Sequence, residues 1–328
     1  MTKHTFLVVF LALAAGAAGA ADVDARDPAK LKLASVNAVV IDASAHRPIY
    51  TKGADEVTPI ASLTKLMTAI VTLDAHLPMD ESIAIDMDDF DYLKGSHSRL
   101  RMGATLSRRE MLRLALMSSE NRAASALART YPGGTTAFVA AMNEKANALG
   151  MTHTSFADPT GLSSQNVSTA NDLATLVAAA AEHPEIREFS TTPSHYVEVQ
   201  PTGQLLGFNN TNGLVKNSGW NIHLSKTGYI REAGKCLVML ATIASKPFVI
   251  VLLDSAGKYT RQGDAQRVRE WLETGRANPP GSAIKANASG SAFKSIKTTK
   301  VKTVTYAAPG HAKRAGIAKS SHAKALRT

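Results

Sequence analysis

Ala61-Ser-Leu-Thr-Lys-Leu-Met-Thr-Ala-Ile-Val-Thr-Leu-Asp-Ala75 sets a serine and a lysine three positions apart at the head of an apolar run. Leu66, Met67, Ile70 and Leu73 recur at helical spacing, so Leu63 to Ala75 is expected to form a core helix opened by Ser62. Positions i and i+3 share a helix face, so the Lys65 amine can return to the Ser62 hydroxyl. A serine hydroxyl is a weak nucleophile until a base takes its proton, and a desolvated lysine near other cations can be that base. The helix N-terminus also offers backbone N–H groups to a developing oxyanion.

One such pair is weak evidence. Ser-x-x-Lys begins at Ser62, Ser255, Ser282, Ser291 and Ser321, but only Ser62 opens a long apolar helix. Two further strings raise its weight. Ser119-Glu-Asn121 falls between the helical segments Met111 to Met117 and Arg122 to Arg129, where a break presents side chains to a cleft. Its serine can relay a proton, and its amide can bind substrate and hold the lysine. Ser-x-Asn also occurs at Ser35 and Ser164. The second of these, Ser164-Gln-Asn166, precedes a helix, where capping accounts for it. Lys226-Thr-Gly228 occurs once, on an expected strand. Lysine and threonine side by side suit a carboxylate, and glycine lets a substrate backbone approach the strand. A peptide could then add as an extra strand.

Val36 to Asp42 and His46 to Tyr50 read as a hairpin around an Asp-Ala-Ser-Ala turn. Ser107-Arg-Arg-Glu110 is a capping-box pattern leading into Met111 to Leu116. Thr135 to Leu149, stopped by Gly150, and Ser168 to Ala181, stopped before Pro184, read as further helices. Strands return at about His223 to Arg231, Cys236 to Ala244 and Phe248 to Asp254, and a helix from Asp264 to Glu273 closes the fold. Strands at both ends thus bracket a helical insertion. The expected fold is α/β (α+β): one antiparallel sheet flanked by terminal helices, with a helical lobe inserted at about residues 82–190.

Lys3 and His4 precede the apolar run Phe6 to Ala15, and small residues follow to Ala21. This reads as a signal peptide over residues 1–20, with export to follow. The net charge of +10 is a property of one segment. Of 37 Lys and Arg, 11 follow Glu273, leaving 37 − 11 = 26 against 27 acidic residues before them. Residues 276–328 read as a basic tail with too little apolar mass to fold alone, and residues 21–275 as the folded domain. The single cysteine, Cys236, excludes a disulfide framework and lies in an apolar run, as a core thiol would. The histidines are too scattered for a metal site, and neither metal nor cofactor is expected.

Ala61-Ser-Leu-Thr-Lys-Leu-Met-Thr68, Met117-Ser-Ser-Glu-Asn-Arg-Ala-Ala124, Asp158-Pro-Thr-Gly-Leu162 and Ser225-Lys-Thr-Gly-Tyr229 together resemble the D-alanyl-D-alanine endopeptidases among the low-molecular-mass penicillin-binding proteins. The resemblance spans about Asn37 to Trp271. It implies the serine β-lactamase/DD-peptidase fold and a periplasmic enzyme that cuts D-alanyl cross-links in peptidoglycan and takes β-lactams as covalent inhibitors. By motif match it implies Ser62 as nucleophile, Lys65 as its base and Ser119 as proton relay. Asn121 would orient substrate, Lys226 and Thr227 would bind its carboxylate, and Gly228 would admit its backbone. The N–H groups of Ser62 and Tyr229 would form the oxyanion hole.

Two readings stand beside it. A D-alanyl-D-alanine carboxypeptidase runs the same chemistry on an uncross-linked stem; that group usually carries a C-terminal β-domain and membrane helix, where this chain has a polar tail after Trp271. A non-catalytic wall-binding relic would keep the fold without the complete motif set. The family of class A β-lactamases is disfavoured, because its loop glutamate has no counterpart around Phe156 to Asn166. The tail is expected to meet an anionic wall polymer or membrane surface, or merely to be solvated; nucleic acid is not expected, since the chain is exported and the tail lacks interleaved aromatics.

Overall fold

The computed structural model describes residues 26–276; the expected signal peptide and nearly all of the basic tail lie outside them. Five strands make one antiparallel sheet in the order β2-β1-β11-β10-β9. They are β1 (Asn37–Asp42), β2 (Arg47–Lys52), β9 (Asn221–Ile230), β10 (Gly234–Ile243) and β11 (Lys246–Ser255). The early hairpin therefore docks on the late meander, as its sequence pattern predicts. Both faces of the sheet are covered, so the central strands are apolar at nearly every position, with successive side chains serving opposite layers.

Ala38, Val40, Leu237, Met239, Ile250 and Leu252 point to one face, where α7 (Thr260–Thr274) buries Val268, Trp271 and Leu272. The extended segment before β1 adds Leu31 and Leu33 to this layer. The helix ends at Gly275, whose left-handed backbone (φ 72°) returns its N–H to Trp271 O, the closure that glycine performs most readily. It starts before the expected Asp264. That buried carboxylate accepts hydrogen bonds from the Ala34 and Ser35 N–H groups and from Ser35 Oγ, tying the chain's first core segment to its last helix.

Val39, Cys236, Val238, Val249 and Val251 point the other way, under α5 (Ala170–Ala181). Behind α5 lies α1 (Lys65–Asp74), buried on every side from Lys65 to Thr72. It is enclosed by α2 (Arg108–Met117), α3 (Asn121–Arg129), α4 (Gly134–Ala148) and α6 (Pro184–Thr191). Its polar residues Lys65, Thr68 and Thr72 are buried with it, and each is hydrogen-bonded. Short ladders pin the connections: β3 (Thr58–Pro59) with β6 (Val167–Ser168), and β4 (Ser82–Ala84) with β5 (Thr105–Ser107).

Several local expectations are revised. The Ser107 hydroxyl accepts the Glu110 N–H, but the Glu110 carboxylate turns to His195 Nε2 at 2.7 Å, so the capping box is half made. Helix α5 starts at Ala170, capped by Thr169, two residues after the expected start at Ser168. Helix α6 begins at Pro184, which stops one helix and starts the next because its fixed φ suits a first helical position. The hairpin β7 (Ser194–Val199) and β8 (Gln204–Asn209) has no counterpart among the expected strands.

Candidate active site

Ser62 lies in a 3-10 turn, Ala61–Thr64, and α1 proper begins at Lys65. The serine is therefore not a helix cap. Its predecessor Ala61 has φ 50°, a left-handed conformation that costs a non-glycine residue about 1 kcal/mol or more and persists only where surroundings enforce it. The enforcement is visible on both sides. A Cβ on Gly161 would lie 2.0 Å from Ala61 O, and one on Gly228 would lie 3.1 Å from Ser62 N. The turn is thus clamped between a loop and the middle of β9, with glycine required at Gly161 and a close fit at Gly228.

The loop is Asp158-Pro-Thr-Gly161, and each residue has a physical task. The Asp158 carboxylate gathers the Thr160, Gly161 and Ser163 N–H groups and the Thr160 hydroxyl, at 2.5–2.8 Å. That fold aims Pro159 O at Thr68 Oγ1 (2.6 Å) and Thr160 O at Lys65 Nζ (2.6 Å). Asn166 anchors the loop's far end. Its buried amide donates to Thr64 Oγ1 and Asp158 O and accepts from the Ala157 and Asp158 N–H groups. The Ser164-Gln-Asn166 string is therefore a structural tie to the Ser62 turn and not a helix cap.

Lys65 is fully buried, with Nζ 3.0 Å from Ser62 Oγ, 2.7 Å from Asn121 Oδ1 and 2.6 Å from Thr160 O. Two of these partners are carbonyl oxygens, which can only accept. The ammonium can donate to all three; when it loses one proton, two N–H groups still serve the carbonyls and a lone pair is left for the serine hydroxyl. Burial lowers the Lys65 pKa to about 7, against the opposing pull of Asp158, Glu120 and Asp91.

Ser119 occupies the break between α2 and α3 with φ 60°, a second strained non-glycine residue. Its hydroxyl accepts from Lys226 Nζ at 2.9 Å. Lys226 is buried on β9, its pKa pushed well below the ordinary lysine value by desolvation, then by the charges of Lys65 and Arg261. Asn121 Nδ2 donates to Ser96 Oγ at 2.9 Å, so the amide's oxygen is left facing Lys65. Thr227 Oγ1 reaches Thr211 Oγ1 at 2.6 Å, and Arg261 donates to Gly228 O at 2.8 Å.

These groups surround one cleft of about 510 Å³ between β9 and the helices. Six of the eight residues singled out in the sequence line it: Ser62, Ser119, Asn121, Thr227, Gly228 and Tyr229. Lys65 and Lys226 lie buried beneath it, each hydrogen-bonded to a lining serine. Ser96, Thr211 and Arg261 also line the cleft. They come from three distant segments with no local signature, so no spacing rule could have found them. Cys236 is a core thiol whose pKa burial raises to about 11.

A five-stranded antiparallel sheet and a helical layer, with a Ser-x-x-Lys turn at their junction, define the class of penicillin-recognising serine peptidases. The sequence agrees: residues 23–257 match the D-alanyl-D-alanine carboxypeptidase family, and the chain belongs to it. It is 51% identical over 259 residues to a D-alanyl-D-alanine endopeptidase of Pseudomonas aeruginosa, covering 79% of this chain and 84% of that one. Among solved structures, the Streptomyces K15 DD-transpeptidase superposes with a TM-score of 0.69 at 29% identity, over 74% of this chain and 98% of that one. Penicillin-binding protein D2 of Listeria monocytogenes, in its ampicillin-bound form, gives a TM-score of 0.63 at 30% identity, over 72% of this chain and 96% of that one.

Proposed function

We propose that the protein is a serine DD-endopeptidase that cuts D-alanyl cross-links in peptidoglycan through an acyl-enzyme on Ser62. The observation that carries the chemistry is a buried lysine, with a pKa of about 7, hydrogen-bonded to an exposed-side serine at 3.0 Å. Ser62 Oγ attacks the D-alanyl carbonyl as its proton passes to Lys65 Nζ. The oxyanion meets the N–H groups of Ser62 and Tyr229 on the two sides of the Gly228 contact. Collapse expels the amine of the second stem, which takes a proton through Ser119, whose hydroxyl is held by Lys226. Water then cleaves the ester and frees the enzyme. A substrate carboxylate beside Lys226 and Thr227 would favour the protonated lysine that burial alone disfavours. β-Lactams would acylate the same serine and leave it slowly.

The endopeptidase reading, in place of the carboxypeptidase one, rests on the 51% identity to a relative that bears that name. Purified protein should release monomers from cross-linked dimeric muropeptides faster than it removes terminal D-alanine from a pentapeptide. Trimming of pentapeptides with dimers left intact would reverse the choice. Export to the periplasm through residues 1–20, and attraction of the basic segment after Glu273 to anionic wall or membrane surfaces, complete the reading. Co-sedimentation of full-length and tail-truncated protein with sacculi across a salt series tests the second; equal pelleting at low salt would discard it.

A further inference from the structure

The cleft is lined by three cationic side chains, Lys94, Arg231 and Arg261, and by no carboxylate. Arg261 is tied to backbone oxygens beside Gly228, but the other two sit at the opposite end from Lys226. Lys94 belongs to the loop after residue 90, which the Asp91 carboxylate braces by accepting the Leu93, Lys94 and Ser96 N–H groups at 2.7–2.9 Å. Its ammonium crosses the cleft mouth to Glu232 Oε1 at 2.6 Å, on the turn joining β9 to β10. Both partners are a third or more exposed, with side-chain accessibilities of 33% and 40%. Arg231 stands next to this bridge. Glu232 is ion-paired with Lys94, and Arg231, its chain neighbour, adds a second positive charge at this end of the cleft.

Chain direction follows from the site. With the acyl carbonyl at Ser62 and the leaving group's carboxylate at Lys226 and Thr227, the acyl donor must extend the other way along β9, past Tyr229 towards the turn. An added strand advances about 3.3 Å per residue, so Arg231 lies opposite a donor position about three residues before the acyl D-alanine.

We propose that Lys94 and Arg231 form a carboxylate-binding subsite for the acyl-donor peptide, and that Glu232 occupies Lys94 until the donor's carboxylate displaces it. The inference rests on the acyl-enzyme reading above and assigns the far end of the same cleft. It makes Lys94 and Arg231 determinants of specificity and not of chemistry. Glu232 becomes an internal competitor, which a purely structural bridge would not be.

The test uses full-length protein and synthetic peptides ending in a D-alanyl-D-amino acid bond. One series carries a carboxylate about three residues upstream of the acyl D-alanine, the other a carboxamide there. The wild type is expected to show a KM about five- to tenfold lower for the carboxylate peptide, with equal kcat, a gap that narrows as salt rises. The combined Lys94→Ala and Arg231→Ala variant should lose the preference, whereas Glu232→Gln should enlarge it. Acylation by 6-aminopenicillanic acid, which has no donor-side extension, should be unchanged in every variant and so reports the integrity of the Ser62 site. Equal KM values for the two peptides in the wild type, a preference surviving the double variant, or a loss of preference in Glu232→Gln would each overturn the subsite while leaving the acyl-enzyme standing. A wild type that is not acylated by 6-aminopenicillanic acid and cleaves neither peptide would overturn both.

Discussion

Gly161 and Ala61 are so close that a Cβ on the glycine would lie 2.0 Å from the alanine's carbonyl oxygen. Gly161 also has φ 80°, where a side chain is strained even in open space. Gly161→Ala is therefore expected to destabilise the fold by about 2 kcal/mol or more and to push the Ser62 turn off β9. Thermal unfolding measures the first effect. The rate of acylation by a fluorescent penicillin measures the second, which should fall at least about tenfold, because misplacement of about 1 Å can cost more than that.

Lys65 can take the Ser62 proton only when it is itself neutral. Its pKa of about 7 means that acylation should fall about tenfold per unit below pH 7 and level off above it. Lys65→Arg should be nearly as damaging as Lys65→Ala, since a guanidinium stays protonated. Stopped-flow acylation from pH 5 to 9 is the check, and a flat profile would remove Lys65 as the base. The same shift has a consequence for folding. Between about 7 and 10.5 the unfolded chain holds a proton that the buried amine does not, so this group's contribution to stability should rise with pH across that window.

Asn166 makes four hydrogen bonds from a fully buried amide, two donated and two accepted. Asn166→Ala leaves Thr64, Asp158 and two backbone N–H groups without that partner, and should cost about 2–4 kcal/mol. Because the loop it ties carries Thr160 O to Lys65, the acylation pH profile should move as well. Chemical denaturation and the acylation profile of one purified variant test both.

What the sequence could say about this fold depended on periodicity and uniqueness. The late strands were legible because both sheet faces are buried, so Cys236 to Ala241 and Phe248 to Leu253 are unbroken apolar runs. The hairpin β7-β8 was not, because only Val197, Val199 and Phe208 of its twelve residues are buried and β8 does not alternate. At the site, Ser62 and Lys65 were legible because they stand three positions apart at the head of an apolar run, and Lys-Thr-Gly because it occurs once. Asn166 was misread because a Ser-x-Asn string before a helix looks like a cap, and only the tertiary fold brings it onto Thr64. Thr211 and Arg261 converge on β9 from segments without any shared spacing.

Cys236 is enclosed beneath the sheet, with its thiol pKa raised to about 11 by burial. A thiolate is the reactive form, so native protein should resist a thiol reagent at pH 8 and react after unfolding. Rapid labelling of native protein by Ellman's reagent would mean that this side of the sheet opens.

Peptide mapping by mass spectrometry after brief exposure to benzylpenicillin tests the acyl-enzyme most directly. A single penicilloyl adduct is expected on the peptide that contains Ser62, and Ser62→Ala, with an unchanged thermal midpoint, should carry none. An adduct on any other serine, or a stable adduct on the Ser62→Ala protein, would contradict the assignment.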